Sequence, residues 1–297
     1  TVDAQVAGTQ SLSLNGGTGG AISFSGAVGN TGANRLNQLT VTDAGSLTVS
    51  STLYAVSILQ SDTSVATSFN GAVNTSGVAG IDLNGFSYSV NAGVTTAGDG
   101  PVTITNSDLL NIAPAGDMNI DGAFTQDGGG AVQTAGDIST SNDTISYTSD
   151  ILLNGTVVFT TDTGAGDINL AAVNDDGSDQ DMILTSGTGD VVVSGIIGAG
   201  ANDLGTMVIT ANDVTLSGVG SGANTGADTL NVTANDNLPD GGRIILQGSG
   251  NYATVGSQCY TIGNQGGAPP NLGGGVVLAV AGNSSYSAGG GITLDEL

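Results

Sequence analysis

GDINL, residues 166–170, places a Gly-Asp pair directly before the alternating apolar residues Ile168 and Leu170. The same phrase returns, in some copies with variation, as GDMNIDG at 116–122, GDVVVSG at 189–195, NDVTLSG at 212–218 and GGRIILQG at 241–248. Alternate residues of a β-strand point to opposite sides, whereas Gly, Asp and Asn are typical of turns. The phrase therefore predicts a short strand that begins at a tight corner and buries one of its two sides.

The spacing of the phrase indicates how the strands are arranged. The interval is 20 residues from Asp117 to Asp137, 23 from Asp167 to Asp190, 23 from Asp190 to Asp213, and 30 both from Asp137 to Asp167 and from Asp213 to Arg243. A period in the twenties is typical of stacked solenoid coils, in which insertions fall in the turns. We predict an all-β fold, a parallel β-helix or β-solenoid with coils of about 20–30 residues. Tandem β-sandwich domains are the alternative, since their turns recur at similar intervals.

The predicted core is a stack of alternate residues from successive coils. In 166–170 and 212–218 the inward residues would be Ile168, Leu170, Val214 and Leu216. One coil cannot bury such a row, but coils stacked on both sides can. The phrase is lost after about residue 250, where Cys259 and the Pro269-Pro270 pair occur. We therefore predict a β-solenoid repeat region at 1–250 and a C-terminal cap or assembly segment at 251–297.

The charge balance excludes several classes of partner. Arg35 and Arg243 are the only cations against 26 carboxylates, which gives a net charge of −24 over 297 residues. We expect no nucleic-acid binding, because binding requires Lys and Arg to neutralise phosphates. No run of about 18 apolar residues is present, so no membrane-spanning helix is expected. The 38% of hydrophobic residues argues against a disordered polyanion.

The residues that enzymes use are scarce, and we predict that the chain is not an enzyme. Polysaccharide lyases need a Lys, Arg or His base, and the chain has no Lys and no His. Glycoside hydrolases need only a pair of carboxylates, which the many aspartates would allow. A carbohydrate-binding module, or a carbohydrate-active enzyme that uses paired Asp, is therefore the alternative.

The densest acidic stretch is the best candidate for binding a metal. NDDGSDQD, residues 174–181, carries the carboxylates of Asp175, Asp176, Asp179 and Asp181. Calcium takes six to eight oxygen ligands, from carboxylates and carbonyls of a flexible loop. These four aspartates are the predicted Ca²⁺ ligands, and a solvated acidic turn is the competing interpretation. We also predict that charge reversal at Asp175 and Asp176 leaves the fold intact.

Two further patterns concern residues that would line up along the coils. A row of corner aspartates, Asp117, Asp137, Asp167 and Asp190, would stand about one strand spacing apart and would attract cations. TVT at 40–42 and TIT at 103–105 are similar to the threonine ladders of ice-binding proteins. Two copies 63 residues apart make no ladder, so these triplets do not predict ice binding.

The repeated phrases resemble the repeat regions of large bacterial surface proteins of the filamentous-haemagglutinin-like type. The matching segments are 21–29, 39–49, 117–123 and 168–218. The resemblance implies an exported adhesin or surface fibre and carries over no catalytic residue. We therefore expect an extracellular or cell-surface structural protein that self-associates into an oligomer or filament through its strand edges, with Ca²⁺ as a candidate cofactor and surface glycans as further candidate partners.

Overall fold

The computed structural model describes residues 10–30, 34–61, 64–200, 203–221, 226–235, 242–246, 251–255, 257–263, 278–280, 285–288 and 291–296. Every regular element in this part of the chain is a β-strand. The chain divides into two compact units, Thr1–Ser141 and Asn142–Leu297.

The structure describes fourteen strands in the first unit. They are β1 Leu12–Phe24, β2 Leu36–Val49, β3 Leu53–Gln60, β4 Ala66–Phe69, β5 Val73–Thr75, β6 Ile81–Gly85, β7 Ser87–Val90, β8 Val94–Thr95, β9 Val102–Asn106, β10 Leu110–Ile112, β11 Met118–Ile120, β12 Phe124–Gln126, β13 Val132–Thr134 and β14 Ile138–Thr140. Each pairs in parallel with the strand one coil earlier or later. The three resulting rows are β1–β2–β3–β6–β9–β12, β2–β4–β7–β10–β13 and β3–β5–β8–β11–β14.

Sixteen strands are described in the second unit. They are β15 Ile145–Tyr147, β16 Ile151–Leu153, β17 Val157–Thr160, β18 Ile168–Leu170, β19 Val173–Asp175, β20 Met182–Ser186, β21 Val191–Val193, β22 Leu204–Ala211, β23 Val214–Leu216, β24 Ala227–Asn235, β25 Ile244–Leu246, β26 Asn251–Thr254, β27 Ser257–Gly263, β28 Leu278–Val280, β29 Ser285–Ala288 and β30 Gly291–Glu296. Its long parallel rows are β15–β18–β21–β23–β25–β28 and β17–β20–β22–β24–β27–β30. The third row joins β16 and β19 through single bridges at Ile197 and Val219 to β26 and β29.

The core consists of like residues stacked in register. Ile168 pairs with Val191 and Val191 with Val214, and all three side chains are fully buried. Leu170 and Leu216, two residues further along their strands, are also buried, as predicted. Burial of each aliphatic side chain contributes about 1.5–3 kcal/mol to folding, because it removes apolar surface from water. The coil above and the coil below provide the contacts that a single coil lacks.

The β-solenoid prediction is confirmed, since short parallel strands stack coil upon coil in the described residues. The alternative of tandem sandwiches is wrong, because sandwich sheets are built from antiparallel hairpins and Greek keys.

The predicted boundary at residue 250 stays a prediction. The strands described beyond it, β26 to β30, pair in parallel with earlier coils. Much of 251–297, including Pro269-Pro270, lies outside the described residues. In the part of the chain that the structure describes, no helix has the length and hydropathy needed to cross a membrane.

Candidate functional site

The Gly-Asp corners of the second unit form a hydrogen-bonded series that we call the aspartate ladder: Asp167, Asp190 and Asp213. The carboxylate of Asp167 accepts the backbone N–H of Asp190 at 2.9 Å, and that of Asp190 accepts the backbone N–H of Asp213 at 3.1 Å. Asp213 in turn accepts the backbone N–H of Arg243 at 2.8 Å. Each carboxylate therefore fixes the corner of the next coil, which explains why Asp opens the repeated phrase.

The first unit repeats the arrangement once, because the Asp117 carboxylate accepts the N–H of Asp137 at 2.9 Å. The prediction that corner aspartates line up is thus confirmed for Asp117 with Asp137 and for Asp167 with Asp190. From the sequence alone, these aspartates would be free charges that attract cations. In the structure, one oxygen of each bonded carboxylate is already held by a backbone N–H.

The Gly of the phrase is required by how closely successive corners approach. A Cβ atom at Gly189 would collide with the carbonyl oxygen of Gly166, its counterpart one coil earlier. A Cβ at Gly166 would in turn collide with the backbone of Asp143. Only glycine allows backbones to come this near, so the Gly-Asp pair combines close approach with a hydrogen-bond acceptor.

Both arginines of the chain contact neighbouring coils. Arg243 donates from Nε to the Asp213 carboxylate at 2.8 Å and forms a salt bridge with it. In the first unit, Arg35 donates to the carbonyl oxygens of Ala55 and Asn74 at 2.9 and 2.8 Å. Its guanidinium also lies 5.5 Å from the centre of the Tyr54 ring. The two cations that a lyase mechanism would need thus hold coils together.

The ladder leads to a prediction at its central member. We expect Asp190→Ala to lower the free energy of unfolding by about 1–2 kcal/mol, because the N–H of Asp213 and the amide of Asn212 lose their shared acceptor. We expect Asp190→Asn to change it by less than about 0.5 kcal/mol, because its amide oxygen still accepts and one like charge is removed. Urea unfolding followed by circular dichroism measures both. Equal losses in the two variants would show that charge, and not the acceptor, is what matters.

The acidic loop, residues 174–181, differs from a solvated turn at its first carboxylate. Asp175 ends β19 with its side chain fully buried. Its two carboxylate oxygens accept the N–H groups of Gly177 at 2.7 Å and Gln180 at 2.9 Å. The expectation that Asp175 tolerates charge reversal is therefore wrong, because its carboxylate closes the loop from inside. The signal for this burial is the alternation along β19, in which Val173 points inward, Asn174 outward and Asp175 inward.

The other three predicted ligands have different surroundings. Asp181 accepts the N–H of Thr206 from the next coil at 2.6 Å, whereas Asp176 and Asp179 are exposed. Asp179 has a φ of 53°, in the left-handed region. Among the described residues, no group of three or more His, Cys, Asp or Glu side chains is placed to hold a metal ion. Calcium binding at Asp175, Asp176, Asp179 and Asp181 stays a prediction.

Asp228, in β24, is affected by the charges of three other aspartates. The pKa of Asp228 is raised, first by desolvation and then by the negative charges of Asp179, Asp203 and Asp181. A raised pKa means that folding favours the protonated form of Asp228. This repulsion therefore destabilises the fold at neutral pH and fades as the pH falls through the pKa of Asp228 in the folded protein.

A surface that was not predicted from the sequence lies on the row β17–β20–β22–β24–β27. Thr160 pairs with Thr185, Thr185 with Thr210, Thr210 with Thr233, and Thr233 with Thr261. All five side chains are half-buried on the outer side of their strands, and the same position in β30 is Asp295. These five threonines form a ladder that does not involve the triplets at 40–42 and 103–105. The sequence signal for it is a single Thr after the inward apolar residue of each strand.

A second line of residues runs beside these threonines, two positions earlier in each strand. Its members are Val158, Ile183, Val208, Asn231 and Cys259. Ile183 is 36% exposed, which is unusual among the large apolar side chains of the described residues. We call the two lines together the threonine face. Its ten residues include no charged and no aromatic side chain, although the chain carries a net charge of −24.

No protein-family model, curated protein or solved structure with which the chain was compared matches it.

Proposed function

We propose that the protein is an exported structural or adhesive protein of the cell surface, a subunit or repeat segment of an extracellular fibre, adhesin or surface layer. The observation that carries the proposal is the edge of β1 that faces away from β2. Among the described strands, β1 pairs with β2 only. A strand with one unpaired edge is a ready template for a strand of another molecule.

The contacts of β1 fit such an edge. The carbonyl oxygens of Gln10 and Leu14 both accept hydrogen bonds from the β2 side, from the N–H of Asn37 at 2.8 Å and the hydroxyl of Thr42 at 3.1 Å. Because backbone groups alternate along a strand, the N–H and C=O of Ser13 face away from β2. The apolar residues of β1 are only half-buried, whereas Leu39 in β2 is fully buried. A further coil on this edge would complete both the hydrogen bonds and the apolar stack.

Two other features support a structural role. Both arginines contact adjacent coils, Arg35 through the Ala55 carbonyl and Arg243 through the Asp213 carboxylate. The excess of 26 carboxylates over 2 cations gives a hydrated polyanionic surface. Calcium or salt would reduce the repulsion between its negative charges. On this proposal cations assist assembly, and the strand edges specify it.

The test is light scattering and electron microscopy of the purified chain, with millimolar Ca²⁺ and with EDTA. We expect ordered fibres or sheets from the unaltered protein and none from Ser13→Pro, which removes the outward N–H of β1. Ser13→Ala is the matched control, because it keeps that N–H and should assemble normally. A protein that stays monomeric in every condition, with a normal circular dichroism spectrum, would refute the proposal.

The second candidate function is carbohydrate binding or cleavage through paired aspartates. The observation that favours it is that desolvation and the charges of Asp179, Asp203 and Asp181 raise the pKa of Asp228, since general acids of glycosidases are carboxyls with a raised pKa. Incubation with a glycan panel distinguishes the possibilities. Saturable binding without reducing-sugar release indicates a binding module, whereas release that Asp228→Asn abolishes indicates an enzyme.

A further inference from the structure

The threonine face is a two-dimensional array whose dimensions are fixed by the backbone. Successive threonines are paired residues of neighbouring parallel strands, so they repeat at about 4.8 Å along the row. The line that contains Val158, Ile183 and Val208 runs parallel to it, about 6.6 Å away, because two residues of a strand separate the lines. β20, β22 and β24 each pair on both sides, which holds these spacings rigid.

The side chains of the array are also restricted. Thr, Val and Ile are branched at Cβ and have few χ1 rotamers. Thr160, Thr185, Thr210 and Thr233 each lie between two buried residues, as Thr210 does between Ile209 and Ala211. The face therefore presents methyl groups and hydroxyls at fixed positions, and binding costs little side-chain entropy.

The chemistry of the face limits what it fits. A flexible polymer gains nothing from a rigid array, whereas a partner that is itself a crystal lattice matches many points at once. The lack of charge disfavours ionic surfaces, and the lack of aromatic side chains disfavours stacking on sugar rings. Hydroxyl groups can join a hydrogen-bonded water network while the methyl groups between them hold water in ordered cages. Crystalline water meets each of these conditions.

We propose that the threonine face binds the surface of ice. The waters held between Thr160, Thr185, Thr210, Thr233 and Thr261 join the crystal lattice, and the chain is thereby adsorbed to it. This inference goes beyond self-assembly through β1, since the face uses the outer side of the strands and leaves their edges free. It gives an adhesive surface protein a partner that carries no charge.

The experiment is partition of the fluorescently labelled full chain into slowly grown ice, together with microscopy of ice-crystal shape. We expect the unaltered chain to be enriched in the ice and to facet the crystals. Thr210→Lys places a long cation at the centre of the face, and we expect it to lose both effects. Thr215→Lys is the matched control, because Thr215 is also half-buried and outward in the same unit but lies on β23, in a different row. It should behave as the unaltered chain.

A more conservative variant keeps the test valid if Thr210→Lys does not fold. Thr185→Val with Thr210→Val keeps the methyl groups and removes two hydroxyls, and we expect reduced enrichment in ice with an unchanged melting temperature. Exclusion of the unaltered chain from ice, or equal behaviour of Thr210→Lys and Thr215→Lys, overturns the proposal. So does binding to crystalline cellulose or chitin in place of ice, and so does a dimer that Thr210→Lys converts to monomer. Repeating the partition with Ser13→Pro separates the outcomes, since ice binding is expected to survive the loss of assembly.

Discussion

Leu216→Asp is expected to abolish soluble folding. Leu216 is fully buried in β23 and lies in register between Val193 and Leu246. Truncation of a buried leucine already costs about 2–5 kcal/mol, and a carboxylate at this position would lie between the apolar side chains of Val193 and Leu246, which do not offset its desolvation. The total is comparable with the whole stability of a typical domain, about 5–15 kcal/mol. Expression in the soluble fraction and circular dichroism are the measurements.

The neighbouring residue provides the control for this prediction. Thr215→Asp introduces the same carboxylate one position earlier, on the outer side of the same strand, where Thr215 is half-buried. We expect it to lower the free energy of unfolding by less than about 1 kcal/mol. A soluble, β-rich Leu216→Asp protein that melts like Thr215→Asp would contradict the assignment of the core.

Asp175→Ala is expected to lower the free energy of unfolding by about 3 kcal/mol. Hydrogen bonds to a charged acceptor contribute about 1.5–3 kcal/mol each, and the Asp175 carboxylate accepts two, from Gly177 and Gln180. Asp176→Ala changes an exposed carboxylate in the same loop, and we expect a change within about 0.5 kcal/mol. Chemical unfolding of the two variants with EDTA present gives the comparison.

The same pair of variants tests the calcium prediction. If the acidic loop binds Ca²⁺, calcium stabilises the unaltered protein against unfolding, because a ligand that binds only the folded state shifts the equilibrium. Asp176→Ala should then lose part of that shift while keeping its stability in EDTA. Calorimetric titration that shows no heat from Ca²⁺ with the unaltered chain would end the calcium hypothesis for this loop.

The sequence was sufficient for features that depend on neighbours along the chain. Alternation at Ile168 and Leu170 predicted their burial, and the 23-residue steps from Asp167 to Asp190 predicted that corners stack. The bonding at those corners did not follow from the pattern. A carboxylate can accept the N–H of the next coil only if the two backbones approach closely. The glycine of the phrase permits this approach, but its presence in the sequence does not predict the hydrogen bond.

The threonine face shows the limit of periodicity more clearly. From Thr160 to Thr185, Thr210, Thr233 and Thr261 the steps are 25, 25, 23 and 28 residues, so no single period connects them. They align because insertions between strands are taken up in the turns, which leaves the register intact. Asp175 was misplaced for a similar reason, since its position in a Gly-rich acidic stretch suggested a turn although it still belongs to the inward set of β19.

The aspartate ladder also bears on how such a chain can lengthen in evolution. The step from Asp213 to Arg243 is 30 residues, seven more than the two steps before it, yet the corner hydrogen bond is kept at 2.8 Å. Each corner bonds only to the coil beside it, and the bond does not depend on the number of residues between the two corners. If a gene segment that encodes one whole coil is duplicated or deleted, the coils on either side still meet the same hydrogen-bonding partners. The number of coils can therefore change while the hydrogen bonds between neighbouring coils stay the same.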